Sequence, residues 1–131
     1  MAGLAQMNIK KSGKDEIAKL IGLLMSVRTA SHLAHLKTSS YATHVALNEF
    51  YDGIVDLTDT FAENAQGLYG KLGIPFVNMI GNANDPIGML ASYLKQMDVL
   101  AESCSNRALE NIYQEIQSLF YKTQYLLTEL S

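Results

Sequence analysis

Apolar residues recur at intervals of three and four along most of the chain, which is the pattern of amphipathic helices. The first such stretch runs from about Ser12 to Lys37, and the second follows a polar cluster, Thr38–Ser40, and ends at about Tyr69 before Gly70. The apolar positions are Ile17, Leu20, Ile21, Leu24 and Val27 in the first stretch, and Val45, Leu47, Phe50, Ile54, Leu57, Phe61, Ala65 and Leu68 in the second. Two long helices are therefore predicted in the first half of the chain.

A long connection separates these helices from two more. Residues 70–85 are rich in glycine, proline and asparagine, and they can span roughly 50 Å when extended. Asp85 and Pro86 then form a helix start, with the aspartate as cap and the proline in the first turn. The apolar positions after it are Ile87, Leu90, Leu94, Met97, Leu100 and Ala101, and, beyond a polar break at 103–106, Leu109, Ile112, Ile116, Leu119, Phe120, Leu126 and Leu127.

No segment alternates apolar and polar residues as a half-buried strand does. The pattern therefore predicts an all-α four-helix bundle with a long connection between helices two and three. A chain of 131 residues is ordinarily one domain, so residues 1–131 are expected to form a single bundle. Residues 1–11 are predicted to be a flexible N-terminal arm.

Composition limits the classes of partner. Apolar residues make up 48% of the chain and the net charge is −3, which argues against binding to nucleic acid. No apolar stretch approaches the roughly 18 residues that a membrane span needs. The one cysteine, Cys104, cannot form a disulfide within the chain, and the N-terminal sequence lacks the pattern of a signal peptide. A cytoplasmic location is expected.

Candidate metal ligands are concentrated between residues 32 and 63. His32 and His44 are followed by carboxylates at helical spacing, namely Asp52, Asp56, Asp59 and Glu63. Imidazole and carboxylate groups suit iron, and zinc or manganese also fit. His44 and Glu63 are about 28 Å apart along one helix, so they cannot hold one ion within a single chain. A two-fold axis would bring the histidines of one chain to the carboxylates of another, so the pattern predicts a homo-oligomer with a two-fold dimer interface.

The segment 54–63 resembles the second-helix signature of the Dps family, the miniature ferritins of starved bacteria. In the same register, His32 and His44 match the two ferroxidase histidines of that family, and Asp59 and Glu63 match its carboxylates. The resemblance implies a ferritin-like bundle that binds Fe(II) at a site between subunits and oxidises it, as a ferroxidase-like oxidoreductase. It also implies assembly into a hollow shell of twelve subunits.

The chain departs from the Dps pattern at two positions. Asn48 stands where the family has an aspartate ligand, and Leu33 stands where it has a tryptophan. Asn48, His35 and Asp52 are further candidates for the ligand set, whereas no separate catalytic residue is assigned. The alternative is a structural or partner-binding oligomeric bundle without ferroxidase activity. The motifs His-Leu-Lys-Thr at 35–38, Tyr-Ala-x-His at 41–44 and Phe-Tyr-Asp at 50–52 also resemble those of small phage proteins. That resemblance would make the chain a divergent phage-encoded member, located in the host cytoplasm.

Overall fold

The computed structural model describes the backbone of residues 2–131 and the side chains of residues 13–131. This part of the chain contains four helices, α1 (Ala2–Lys37), α2 (Tyr41–Tyr69), α3 (Pro86–Ala101) and α4 (Arg107–Glu129), and no strand. The prediction of an all-α chain of four helices is confirmed. The first helix begins at Ala2 rather than at Ser12. The flexible arm predicted for residues 1–11 lies outside the residues whose side chains are described.

The helix ends follow the capping signals of the sequence. The side chains of Ser40, Asp85 and Asn106 each accept a hydrogen bond from a backbone N–H in the first turn of α2, α3 and α4 respectively. These bonds satisfy donors that have no partner within the helix. At the end of α2, Gly70 has a φ of 84°, a conformation that residues with a Cβ rarely adopt, and its N–H donates to the carbonyl of Gln66.

The four helices pack in a ring around one apolar core. In the described part of the chain, α1 and α4 each pack against α2 and α3, while no Cα atoms of the diagonal pairs α1–α4 and α2–α3 approach within 8 Å. The core includes the largest fully buried side chains, which are Ile17, Leu20, Ile21, Leu23, Leu24, Leu47, Phe50, Ile54, Phe61, Met89, Tyr93 and Phe120. Each such aliphatic or aromatic side chain contributes roughly 1.5–3 kcal/mol by its burial.

The two halves of the ring are joined by residues 70–85, here called the crossover. One cleft is lined by residues from the end of α3 and the start of α4 together with Ile17 from the middle of α1, and a second is lined by the end of α2 and the start of α4. The end of α2, the end of α3 and the start of α4 therefore lie at the same end of the molecule. Since α2 and α3 both end there, the crossover must run back along the helices to begin α3 at the other end. The predicted long connection is confirmed. No helix in the described residues has the length and apolar character needed to cross a membrane.

Candidate functional site

Two of the three histidines tie α1 to α2. The Nδ1–H of His35 donates to the carbonyl of His44 at 2.7 Å, and the Nδ1–H of His44 donates to the carbonyl of His35 at 2.9 Å. A carbonyl oxygen only accepts, so each Nδ1 carries its hydrogen. The carbonyl of His35 is among the last four of α1, which lack partners within the helix. The pair therefore satisfies a helix end as well as joining two helices.

The rings of these histidines are stacked, with centroids 3.6 Å apart and planes inclined by 20°. An imidazole binds a metal through a lone pair in its own ring plane, at about 2.0–2.1 Å. Two nearly parallel rings at this separation cannot direct their lone pairs at one ion. His35 and His44 therefore form a structural pair within the chain rather than a chelating one.

His32 has a different neighbour. Its ring stacks on Tyr51 with a centroid distance of 4.3 Å. Tyr51 donates from its hydroxyl to Asn48 Oδ1 at 2.7 Å, and Asn48 Nδ2 donates to Asp52 Oδ2 at 3.2 Å. All three further candidate ligands, His35, Asn48 and Asp52, are thus engaged in stacking or hydrogen bonds within the chain.

Asp59 and Glu63 lie further along α2, on the same unbroken helix as His44. Since α2 rises 1.5 Å per residue, Asp59 is roughly 22 Å from His44 along the helix axis. Among the described residues, no group of three or more His, Cys, Asp or Glu side chains is placed to hold a metal ion. The structure does not bring the four predicted ligands together within one chain, so a site shared between subunits stays a prediction.

The carboxylates of α2 form an exposed acidic stripe, defined as Glu49, Asp52, Asp56, Asp59 and Glu63. Its members are three or four residues apart, as on any polar helix face. The stripe lies on the side of α2 away from the buried Phe50, Ile54 and Phe61. No lysine or arginine occurs in α2 to offset the charge. Solvation of the carboxylates is therefore sufficient to explain the pattern.

A second polar cluster lies in the cleft of about 550 Å³ at the other end of the molecule. Asp98 accepts hydrogen bonds from the hydroxyl of Tyr113 at 2.6 Å and from Gln117 Nε2 at 3.0 Å. Burial, and then the bond to Asp98, raise the pKa of Tyr113 far above its usual value. Burial also raises the pKa of the Cys104 thiol, so both groups stay protonated near neutral pH and neither is an activated nucleophile.

The crossover is held against α1 and α3 by a buried chain of hydrogen bonds. Ser26 Oγ donates to the carbonyl of Asn78 at 3.4 Å, and it lies 2.6 Å from the hydroxyl of Tyr93, which then donates to it. The same tyrosine oxygen accepts from the N–H of Ile80 at 3.0 Å. A Cβ on Gly22 would lie only 2.7 Å from the carbonyl oxygen of Pro75, so glycine permits this close approach.

The outer side of the crossover is apolar and exposed. Phe76 is fully exposed, and Met25 of α1 and Met79 are each about half exposed. Together with Pro75 they border a shallow groove of about 440 Å³ whose lining contains no charged residue. We call Met25, Pro75, Phe76 and Met79 the Phe76 patch. It is a candidate binding surface because large exposed apolar patches on soluble proteins are commonly interaction sites.

Comparison with known proteins identifies the family. A model of a family of unknown function, DUF5856, matches residues 35–127. The chain belongs to this family. It is also 30% identical over 123 residues to the "Uncharacterized 14.6 kDa protein in mobD-ri intergenic region" of Enterobacteria phage T4, an alignment that covers 92% of this chain and 95% of the phage protein. No solved structure matches the chain.

These matches overturn the resemblance to Dps. The family found is DUF5856, and neither it nor the phage T4 relative is described as a Dps or ferritin-like protein. The resemblance was wrong because it rested on the short segment 54–63, in which acidic residues recur every three or four positions. Polar residues recur in this way on the exposed face of many unrelated helices. The ferritin-like part of the fold prediction and the twelve-subunit shell lose their support with it.

The Phe76 patch was missed in the sequence because residues 70–85 were interpreted only as a connection. A signal was present: the crossover contains Ile74, Phe76, Val77, Met79 and Ile80, an apolar content unusual for a solvent-exposed loop. Which of these side chains face the core and which face solvent depends on the path of the loop over α1. A loop has no repeating pattern of buried and exposed positions, so its path could not be predicted from the sequence.

Proposed function

We propose that this chain is a structural or partner-binding four-helix bundle, and that the Phe76 patch is its binding surface. The observation that carries the proposal is a fully exposed phenylalanine on a loop that is anchored to the core on both sides of it. The alignment with the phage T4 relative covers nearly all of both chains, which supports a phage-encoded origin for the proposed binding protein.

The anchoring distinguishes this surface from an incidental exposed residue. Ile74, Val77 and Ile80 pack against the core, and the N–H of Ile80 is bonded to the buried Tyr93. Phe76 lies between these anchors and remains outside. A loop with three inward apolar residues gains no stability from a further exposed aromatic ring, whereas a preorganised ring is well suited to fill a pocket on a partner.

The histidine pair has a structural role in this proposal. Its Nδ1 atoms and stacked rings fasten the end of α1 to the start of α2. The acidic stripe is a solvated face that also disfavours direct contact between two copies of α2, because ten carboxylates would meet without counter-charges. An interface between two copies of the acidic stripe would therefore be electrostatically unfavourable.

The competing prediction from the sequence is Fe(II) bound between subunits by His32, His44, Asp59 and Glu63. An anaerobic Fe(II) titration of the wild type and of His44→Ala separates the two functions. Equal, negligible binding by both proteins is expected for a binding module. Stoichiometric uptake that His44→Ala abolishes would support a metal centre instead.

A photo-crosslinking experiment tests the binding surface directly. The full chain would carry p-benzoylphenylalanine in place of Thr29, which lines the groove, and would be irradiated both purified and in an enterobacterial cell. A covalent adduct of discrete mass is expected, and Phe76→Ser should abolish it. The same probe in place of the exposed Tyr125 of α4 is the control. Adducts that are absent, or that persist in Phe76→Ser, would refute the proposed function.

A further inference from the structure

The apolar groove and the aromatic ring beside it form a surface that can match its own copy. Phe76 projects from the rim of a groove lined by Gly22, Met25, Thr29 and Met79, among others. In a two-fold arrangement a surface contacts itself, so a projecting group must meet a recess on the same surface. Here the projecting ring of Phe76 and the groove lie side by side. If two chains are related by a two-fold axis, the Phe76 ring of each chain would enter the groove of the other.

Charge favours a second copy at this place. The lining of the groove contains no lysine, arginine, aspartate or glutamate. Apposition of two identical patches therefore brings no like charges together. The exposed face of α2, with the five carboxylates of the acidic stripe, would repel its copy at any two-fold axis placed there.

The available area indicates a weak dimer. An aromatic side chain offers about 200 Å² of surface, and the half-exposed methionines with Pro75 bring the Phe76 patch to roughly 400–500 Å² per chain, within the size of functional patches on monomers. A standard stable interface buries about 800 Å² per partner. The apolar centre thus supplies about half of that area, and a polar rim around it would have to supply the rest.

We propose that the Phe76 patch is a homodimer interface in which Phe76 of each chain occupies the groove formed by Gly22, Met25, Thr29 and Met79 of the other. This inference rests on the proposed function, because it names a second copy of the chain as the partner of the same surface. It moves the two-fold axis from α2, where the metal-site hypothesis placed it, to the crossover.

Sedimentation velocity of the purified chain, from about 1 to about 300 µM, tests the proposal. The wild type should shift from monomer to dimer across this range. Phe76→Ser should weaken dimerisation by at least about 100-fold, because each dimer loses two central anchors. Val99→Ser, which alters an exposed apolar residue of α3 that does not line the groove, is the matched control and should dimerise as the wild type does.

Two results would overturn the homodimer. One is a wild type that remains monomeric at the highest concentration, and the other is a dimer that Phe76→Ser leaves intact. Thermal melting of Phe76→Ser verifies that the variant is folded, which its full exposure leads us to expect. A crosslink from Thr29 to a different protein, with a monomeric wild type, would overturn the homodimer while leaving the proposed function standing.

Discussion

Tyr93 is the residue whose hydroxyl holds the crossover to the core, and Tyr93→Phe tests that role. The substitution keeps the ring, which is fully buried, and removes one oxygen. That oxygen bonds Ser26 Oγ at 2.6 Å and the N–H of Ile80 at 3.0 Å. Two hydrogen bonds are therefore lost without a change in apolar packing.

The cost can be worked out from these two bonds. Each hydrogen bond contributes about 1 kcal/mol net, and a donor left buried without a partner adds to that cost. The expected loss in the free energy of unfolding is about 2–3 kcal/mol. For a chain of this length each kcal/mol lowers Tm by roughly 3–5 °C, so Tm should fall by roughly 6–15 °C.

The assay is thermal unfolding followed by circular dichroism, with hydrogen exchange at the amide of Ile80 as a local measure. Tyr125→Phe removes the hydroxyl of an exposed tyrosine and is the matched control, expected to change stability by less than about 0.5 kcal/mol. A double-mutant cycle with Ser26→Ala should give a coupling energy of about 1 kcal/mol. Equal melting of Tyr93→Phe and Tyr125→Phe, or unchanged exchange at Ile80, would refute the anchoring role.

Four further substitutions test other parts of the structure. Gly22→Ala should destabilise the fold by about 1–3 kcal/mol in urea unfolding, since its Cβ would lie 2.7 Å from the carbonyl oxygen of Pro75. Gly67→Ala, whose Cβ would meet nothing within 4 Å, should instead stabilise α2 by about 1 kcal/mol. A change in the free energy of unfolding of the same sign in both variants would contradict the close approach at Gly22. The pKa of Tyr113 is raised in the folded state, so its contribution to stability is complete below about pH 10 and is lost as the pH rises further. Tyr113→Phe should accordingly show a shallower loss of stability above that pH, and parallel pH profiles would contradict the shift. Thr58 Oγ1 is buried and has no partner within the described residues, so Thr58→Val should raise stability by about 1 kcal/mol, and a destabilised variant would show that the hydroxyl is satisfied.

The elements that the sequence predicted well are those governed by local rules. The starts of α2, α3 and α4 follow from Ser40, Asp85 and Asn106, and the end of α2 follows from Gly70, because capping and positive φ are decided within a single turn. The start of α1 was the exception, since its helix extends through Ser12 to Ala2. Ser12 therefore lies inside α1 and does not mark its start.

The candidate site shows the limit of such local rules. His32 and His44 have the spacing of two ligands, yet the fold pairs His44 with His35 and places His32 on Tyr51. The partner of each ring depends on how the end of α1 faces the start of α2. Spacing along one helix restricts which residues share a face, but it does not decide which rings from two helices meet.

By itself, the sequence determined four helices, their faces, most of their ends and a connection long enough to cross the molecule, because periodicity and capping act over a few residues. Only the tertiary structure decided that the crossover is bound through Tyr93 and Ser26, and that Phe76 is left outside. The physical reason is that an irregular loop has no repeating geometry, so each side chain is turned inward or outward by the surface over which the loop passes.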